Sequence, residues 1–399
     1  MNDSLEVAVV GAGPAGIGTA VALERLEVDY AVLERDRIGA SFRRWPDEMR
    51  LLTPSFPANA FGVRDLNAVT IDTSPALALD CEHPTGEQYA EYLEAVAEFH
   101  ELPVETGIDV ESVVPQQDED TDGFVLETDG GSIRARYVVW AAGQYQYPSS
   151  GDLEGATHGV HVANVDSWAE YATRASSTDS AGTNRVAADG AGTVAETVSD
   201  VVVVGGSESG IDAALGLAEA GRSVTVLDDE GTWQFRSPDP SEVLSPRTNE
   251  RLETSLEEGA PIDLVADARV DGIERDDGGY LVTTTDGDRV RSRAPPVLAT
   301  GFEGSLAVID DLFAFDGEFP DLTDRDESTE TPGLFLAGPQ VAHNGQQFCF
   351  IYKFRQRFAV VAEELGERLG VETGPLEAYR EKRMVLEELE CCEPDYCDC

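Results

Sequence analysis

Lysine is almost missing from this 399-residue chain: Lys353 and Lys382 are the only two. Lysine and arginine together number 28 against 77 acidic residues, a formal net charge of −49. A field of that sign repels nucleic acid and anionic lipid, so neither is expected as a partner. No run of 18 apolar residues occurs, which leaves nothing for a membrane-spanning helix. Cysteine is scarce as well: before the last nine residues only Cys81 and Cys349 are present, too few for a disulfide framework. The start, MNDSLEVAVVGAG, enters a strand pattern at once and has none of the regions of a signal peptide. The expectation is a soluble, cytoplasmic protein. Its acidity fits a halophilic, salt-rich setting, where screening relieves the self-repulsion of such a surface.

What is present is a repeat. VAVVGAGPAGIGTAVALERLEVDYAVLERD, from Val7, matches VVVVGGSESGIDAALGLAEAGRSVTVLDDE, from Val201, at a constant offset. Each copy runs from a short apolar strand through a glycine-rich turn and an Ala/Leu-rich helix to a second strand. Gly11 answers to Gly205, Gly16 to Gly210, and Glu34 to Asp228. This is a dinucleotide-binding fingerprint. Gly11 makes the tight turn, Gly13 lets a pyrophosphate approach the backbone, and Gly16 lets helix and strand pack closely. The pyrophosphate meets the free N–H groups of the helix start. The acid at the end of the second strand takes ribose hydroxyls. In the second copy Ser207 stands at the middle-glycine position. Asp228 there favours a free 2′-hydroxyl, and the next residues are Asp229, Glu230 and Gly231, with Arg236 the first downstream cation. The reading leans to NADH over NADPH.

Two such units in one chain predict an α/β fold with two Rossmann-like dinucleotide-binding domains, FAD on the first and NAD(P)H on the second. The NAD(P)-binding domain is expected as an insertion in the FAD-binding domain. The expected boundaries are 1–170 for the first part of the FAD-binding domain and 171–199 for a flexible low-complexity insertion. The NAD(P)-binding domain follows at 200–300, the second FAD-binding part at 301–390, and a Cys-rich tail at 391–399. RYVVWAAGQY (136–145) and APPVLATGF (294–302) read as strands ending in small-residue turns. PGLFLAGPQ (332–340) reads as a strand rejoining the FAD-binding domain. GQQFCFIYKFRQRFAVVAEELGERLG, from Gly345, reads as one long amphipathic helix. Its basic cluster of Lys353, Arg355 and Arg357 suits surface salt bridges, with cofactor phosphates as the alternative.

The order and spacing of these stretches resemble the flavin-containing monooxygenase superfamily, which includes Baeyer–Villiger enzymes and CzcO-like flavoproteins. The resemblance rests on GAGPAG (11–16), Glu34 followed by GASF (39–42), HPTGEQYAEYL (83–93), AAGQY (141–145), GGSESG (205–210), ATGF (299–302) and GLFLAGP (333–339). It implies bound FAD, NADPH or NADH as reductant, and oxygen as a candidate oxidant. It implies FAD contacts at Gly11, Gly13, Pro14, Ala15, Gly16, Glu34, Arg35, Phe42, Gly143 and Gly338. Those for the nicotinamide dinucleotide fall at Gly205, Ser207, Ser209, Gly210, Asp228, Thr300 and Gly301. Phe42 stands where that superfamily carries Trp. His161 and Trp168, in LEGATHGVHVANVDSW, are candidate remnants of its monooxygenase signature.

Three catalytic candidates come from loops expected to line the flavin: Arg44 for negative charge on reduced flavin, Trp45 for stacking, and His343 as a polar contact. The tail CCEPDYCDC holds Cys391, Cys392, Cys397 and Cys399. Its readings are a soft-metal site, a thiol pair relaying electrons to a disulfide, and an exposed end without function. The expected function is FAD-dependent NAD(P)H oxidoreduction of monooxygenase-like type. A thiol-disulfide or metal-ion reductase using the tail, and a flavin-containing metal sensor or chaperone, remain alternatives. The small-molecule substrate or electron acceptor is not legible, because a fold hosts many reactions.

Overall fold

The computed structural model describes residues 4–57, 62–118, 121–176, 197–237 and 241–389. The four tail cysteines and most of the low-complexity insertion lie outside the described residues. The chain divides into two compact units, one of Met1–Arg43, Thr53–Tyr147 and the chain from Glu303 onward, the other of Arg44–Leu52 and Pro148–Phe302.

The first unit is built on β1 (Ser4–Val10), β2 (Tyr30–Glu34), β3 (Val104–Thr106), β4 (Val110–Asp118), β5 (Thr121–Thr128) and β6 (Gly131–Trp140). They form a sheet in the order β3-β2-β1-β6-β5-β4. The β3-β2-β1-β6 part is parallel, and its apolar runs are buried because helices cover such strands. The β6-β5-β4 part is antiparallel. Helices α1 (Pro14–Glu24), α2 (Ala40–Arg43), α3 (Pro75–Leu79) and α4 (Gly86–Phe99) follow the early strands. Helix α4 starts at a reciprocal cap, Thr85 Oγ1 accepting from Gln88 N–H while Gln88 Oε1 accepts from Thr85 N–H.

The second unit holds β7 (Val160–His161), α5 (Trp168–Ser176), β8 (Thr197–Ser199), β9 (Val201–Val204), α6 (Glu208–Glu219), β10 (Val224–Leu227), α7 (Pro246–Glu257), β11 (Ile262–Val265), β12 (Val270–Asp276), β13 (Gly279–Thr284), β14 (Arg289–Ser292) and β15 (Val297–Leu298). A parallel sheet runs β11-β10-β9-β15-β7, and a smaller one runs β12-β13-β14-β8. The repeat extends to register: Val7 pairs with Tyr30 in the first unit, and Val201 with Val224 in the second. Asp212 fastens three helices here, accepting from Arg251 of α7 at 2.7 Å and from the Trp168 indole of α5 at 3.4 Å.

The chain then returns to the first unit through β16 (Phe315–Asp316), β17 (Phe319–Pro320), β18 (Leu334–Leu336), β19 (Ala342–His343), β20 (Gln346–Gln347), α8 (Ile351–Phe354), α9 (Phe358–Leu369) and α10 (Glu377–Glu381). Strand β18 lies parallel to the last residues of β6. The α/β class with parallel, helix-covered sheets is therefore as expected.

Two local expectations change. The long helix starts only at Ile351. The turn residues Asn344 (φ +52°) and Gly345 (φ +77°) fold the preceding stretch into the β19–β20 hairpin. The basic cluster is not a set of surface pairs. Arg357 is 1% exposed, and its guanidinium spans both Asp326 oxygens at 2.9 and 3.0 Å, plus the carbonyls of Asp324 and Leu386 at 2.5 Å. Arg355 is also buried and donates to the carbonyls of Asp65 and, at 2.9 Å, Ala68. Burial pushes its pKa down to about 10 despite the neighbouring Tyr89 and Asp65. Two guanidinium groups so enclosed cannot rely on water, so their donors turn to internal acceptors.

Asp326→Asn leaves the buried Arg357 charge without its counterion. Unfolding in denaturant at high salt should show a loss of about 3–5 kcal/mol. A change under about 0.5 kcal/mol, the size seen at indifferent surface positions, would contradict this placement.

Candidate functional site

The two glycine-rich turns are the same structure made twice. Gly11 N–H and Gly205 N–H each donate at 2.8 Å, to Leu33 O and Leu227 O. Both glycines are left-handed, at φ +103° and +99°, and a methyl on either would strike a backbone carbonyl, Ala141 O or Ala299 O. A methyl on Gly16 would run into Gly11 O, and one on Gly210 into Gly205 O. Helix and turn therefore touch backbone to backbone. Ile17 N–H reaches Gly13 O, and Ile211 N–H reaches Ser207 O, both at 3.0 Å.

Neither helix start is capped by a side chain. In α1 the first residue is Pro14, which has no N–H, and the first-turn donors belong to Ala15 and Gly16. A methyl at Gly13 would meet open space. This cradle fits an anionic diphosphate: donors at a positive helix end, with room for backbone approach. Gly338, at φ +114°, packs against the Ala15 methyl, and Gly143 (φ +71°) faces open space.

The acids at the strand ends are buried and bind the turns. Glu34 Oε2 accepts from Ala12 N–H at 2.8 Å, and its Oε1 from Asp36 N–H at 2.9 Å. Asp228 Oδ2 accepts from Gly206 N–H at 2.6 Å. Its Oδ1 takes the backbone N–H groups of Glu230, Gly231 and Thr232 at 3.2, 2.5 and 3.3 Å. Asp228 is thus more fully engaged by its own chain than Glu34. Trp233 also closes over Gly206, where a methyl would strike its ring. Arg236 lines an open cleft of about 510 Å³ with Phe235, Leu244, Pro246 and Asn249.

Ser207 is exposed and 3.4 Å from the Thr232 hydroxyl, and Ser209 is half-buried. Glu208, in the first turn of α6, turns to the start of α7, accepting from Thr248 Oγ1 at 2.5 Å and from Ser245 N–H. Burial raises its pKa in spite of these donors. Thr300 Oγ1 donates to Ser149 O at 2.6 Å. Arg35 is half-buried, and Phe42 packs on Tyr89 with ring centroids 4.8 Å apart.

The catalytic candidates are divided between the two units. Arg44 is exposed and Trp45 half-buried, and both belong to the second unit's Arg44–Leu52 segment. That segment is fixed by Glu48, whose carboxylate accepts from Ser167 Oγ, Trp168 N–H and Ala169 N–H at 2.8–3.1 Å and so caps α5. Burial would raise the Glu48 pKa, but these hydrogen bonds outweigh it and hold it low. His343 lies in the first unit, buried, with Nε2 2.5 Å from Asp326 Oδ1. The sequence did not reveal Asp326, Glu48 or Trp233: Asp326 sits in an acidic run that reads as surface, and Glu48 and Trp233 sit in loops. No group of His, Cys, Asp and Glu able to hold a metal exists among the described residues.

A family model described as pyridine nucleotide-disulphide oxidoreductase matches residues 8–177 and 192–338. Bacilliredoxin reductase Bdr of Bacillus subtilis (strain 168) is 22% identical over 380 residues, covering 90% of this chain and 97% of that protein. An uncharacterized CzcO-like oxidoreductase of Geobacillus kaustophilus (strain HTA426) is 30% identical over 152 residues, 37% of this chain and 38% of that protein. The alignment thus spans well under half of that relative. In fold, a flavin-containing monooxygenase from Stenotrophomonas maltophilia superposes with a TM-score of 0.68 at 15% identity, covering 92% of this chain and 99% of that one.

His161 gives a pH prediction. Its Nε2–H faces Gly301 O at 3.0 Å, while Nδ1 accepts from Ala163 N–H at 3.2 Å, so the neutral ring fits and the cation does not. Burial lowers its pKa, against a smaller opposing pull from Gly301 O. With the folded value below the unfolded one, its stabilisation is present above about pH 6.5 and is lost as pH falls toward the folded pKa. NMR titration should place His161 below the usual histidine value. A value above it would contradict the hydrogen-bond assignment.

Proposed function

Because the chain belongs to the pyridine nucleotide-disulphide oxidoreductase family, whose enzymes work with FAD and NAD(P)H, we propose that it uses NAD(P)H to reduce disulfides. The observation that carries the redox reading is the doubled cradle: two glycine turns, two uncapped helix starts and two buried acids at equivalent positions. When bound, the nicotinamide supplies a hydride and FAD accepts it. The rest is binding and orientation by this chain.

In the first unit, Gly13 leaves room for the FAD diphosphate, and the N–H groups of Ala15 and Gly16 receive it behind Pro14. Gly11 sets the turn, and Glu34 keeps lone pairs for ribose hydroxyls. Gly338 packs on Ala15 of the same cradle, and the resemblance adds Arg35, Phe42 and Gly143 as FAD contacts. In the second unit, Gly205, Ser207, Ser209 and Gly210 take the nicotinamide dinucleotide's diphosphate, and Thr300 and Gly301 form the facing turn. Asp228 shapes the ribose end, and the exposed Asp229 and Glu230 beside it oppose a 2′-phosphate, which favours NADH. Arg44 and Trp45 remain the candidates for orienting groups at the flavin ring. His343, tied to Asp326, serves as a support rather than as an acid or base.

A disulfide as acceptor is supported by the alignment along nearly the whole of Bdr, named a bacilliredoxin reductase. Oxygen is the second reading, supported by the motifs that resemble the flavin-containing monooxygenase superfamily. The test is NADH oxidation by the flavin-loaded protein in high salt, without oxygen, on adding a small disulfide. Turnover under these conditions is expected. Oxygen uptake stimulated by an organic substrate, with no disulfide turnover, would instead favour monooxygenation.

Two substitutions probe the cradles. Gly13→Val should lower FAD content while leaving NADH binding intact, since the added carbons enter only the first cradle. Asp229→Ser with Glu230→Arg should raise kcat/KM for NADPH relative to NADH by about tenfold, about 1.4 kcal/mol. No shift would place discrimination elsewhere, with Arg236 the next residue to change.

A further inference from the structure

The second unit includes one stretch from far up the chain, Arg44–Leu52, and the start of α5 holds it there. The stretch is a compact turn. Met49 N–H donates to Pro46 O at 2.9 Å, and Arg50 Nη1 donates to Asp47 O and Met49 O at 2.7 and 2.9 Å. Asp47 N–H reaches Asp166 O at 2.8 Å, just before α5. Beside it the Glu48 carboxylate receives Ser167 Oγ and the N–H groups of Trp168 and Ala169. A carboxylate on the free N–H groups of a helix start is a charge-assisted contact, stronger than a neutral one.

Trp168 carries the connection onward. Its backbone N–H binds Glu48, and its indole N–H turns to Asp212 of α6 at 3.4 Å. The indole is fully buried and lies on Gly216 of α6, so close that a methyl there would strike the ring. Helix α6 begins at the second cradle. A ring seated this closely has no half-way position: α5 is docked on α6, or a cavity opens. Trp168, by sequence a candidate remnant of a monooxygenase signature, is here a strut between two helices.

We propose that Glu48 is a positioning residue for hydride transfer, holding Arg44 and Trp45 to the seat of the nicotinamide dinucleotide through Trp168 and α6. This rests on the NAD(P)H-to-FAD reading, with Arg44 and Trp45 as orienting groups at the flavin ring. A nucleotide on the second cradle steadies the start of α6. Openings of α5 and of the Arg44–Leu52 turn then become rarer, because they share the Trp168 seat with α6. The turn is ordered for its task when the hydride donor is in place. Glu48 and Trp168 touch neither cofactor in this scheme.

The test is hydrogen–deuterium exchange of the flavin-loaded protein in high salt, with and without NAD+, read by peptide mass. NAD+ should slow exchange about tenfold in the peptides holding Asp47, Met49, Trp168 and Ala169, as well as at the start of α6. Glu48→Gln turns an amide N–H2 toward N–H donors, so it should abolish the slowing in Arg44–Leu52 and keep it in α6. Ser167→Ala, a milder change, should weaken it in the same direction. Slowing confined to α6 in the unaltered protein would overturn the proposal while leaving the second cradle intact. No slowing anywhere would mean that the dinucleotide does not sit on α6, and both would fail.

Flavin reduction by NADH without oxygen supplies a second readout. Glu48→Gln should keep the NADH dissociation constant within about twofold and lower the limiting rate about tenfold. Arg44→Ala should do the same, and the two together should fall no further, since they act through one turn. A slow Arg44→Ala beside an unchanged Glu48→Gln would overturn the clamp and keep the role of Arg44. If neither is slow, the proposal is wrong and Arg44 is not an orienting group.

Discussion

Everything in this molecule depends on two places where a helix touches a turn without side chains between them. At Gly16 and at Gly210 the helix backbone lies against the carbonyl of the turn's first glycine, so close that a methyl has no room. That contact sets the helix start at the mouth of the turn, with its first N–H groups uncapped. Glu34 and Asp228 then brace the turn through the next N–H, at Ala12 and Gly206. An anion-binding cradle follows from the backbone alone. The two units share it down to the register of the strands beneath.

Such a backbone device is legible in sequence because it forces glycine at fixed spacing. The doubled strand, turn, helix and strand were readable for that reason, and so was the α/β class. Charge was harder to read. Asp326, in TDRDES, looks like solvated surface, yet it is fully buried and binds Arg357 and His343. Its partner Arg357 lies far along the chain, and no local pattern announces a pair made by tertiary contact. The β19–β20 hairpin was lost to a helical reading because GQQFC carries no strand alternation; two left-handed residues at its tip decide the matter. Glu48 caps a helix more than a hundred residues away, and nothing in RRWPDEMR foretells that.

The scarcity of basic residues shapes how they are used. Several arginines act as internal fasteners: Arg357 on Asp326 and the carbonyls of Asp324 and Leu386, Arg355 on the carbonyls of Asp65 and Ala68, Arg251 on Asp212, and Arg368 on Glu327. Guanidinium suits this, since its planar fork satisfies several acceptors at once. The acids so engaged are a small part of the 77, so the chain's charge stays strongly of one sign. One such fastener, Arg357, also ties Leu386 to Asp326, the partner of His343 in the β19–β20 hairpin.

The most direct measurement is calorimetric titration of the cofactor-stripped protein in high salt with FAD and then with NADH. Two separate cradles predict one FAD and one NADH bound per chain, neither displacing the other. Competition of the two for a single site would contradict the account.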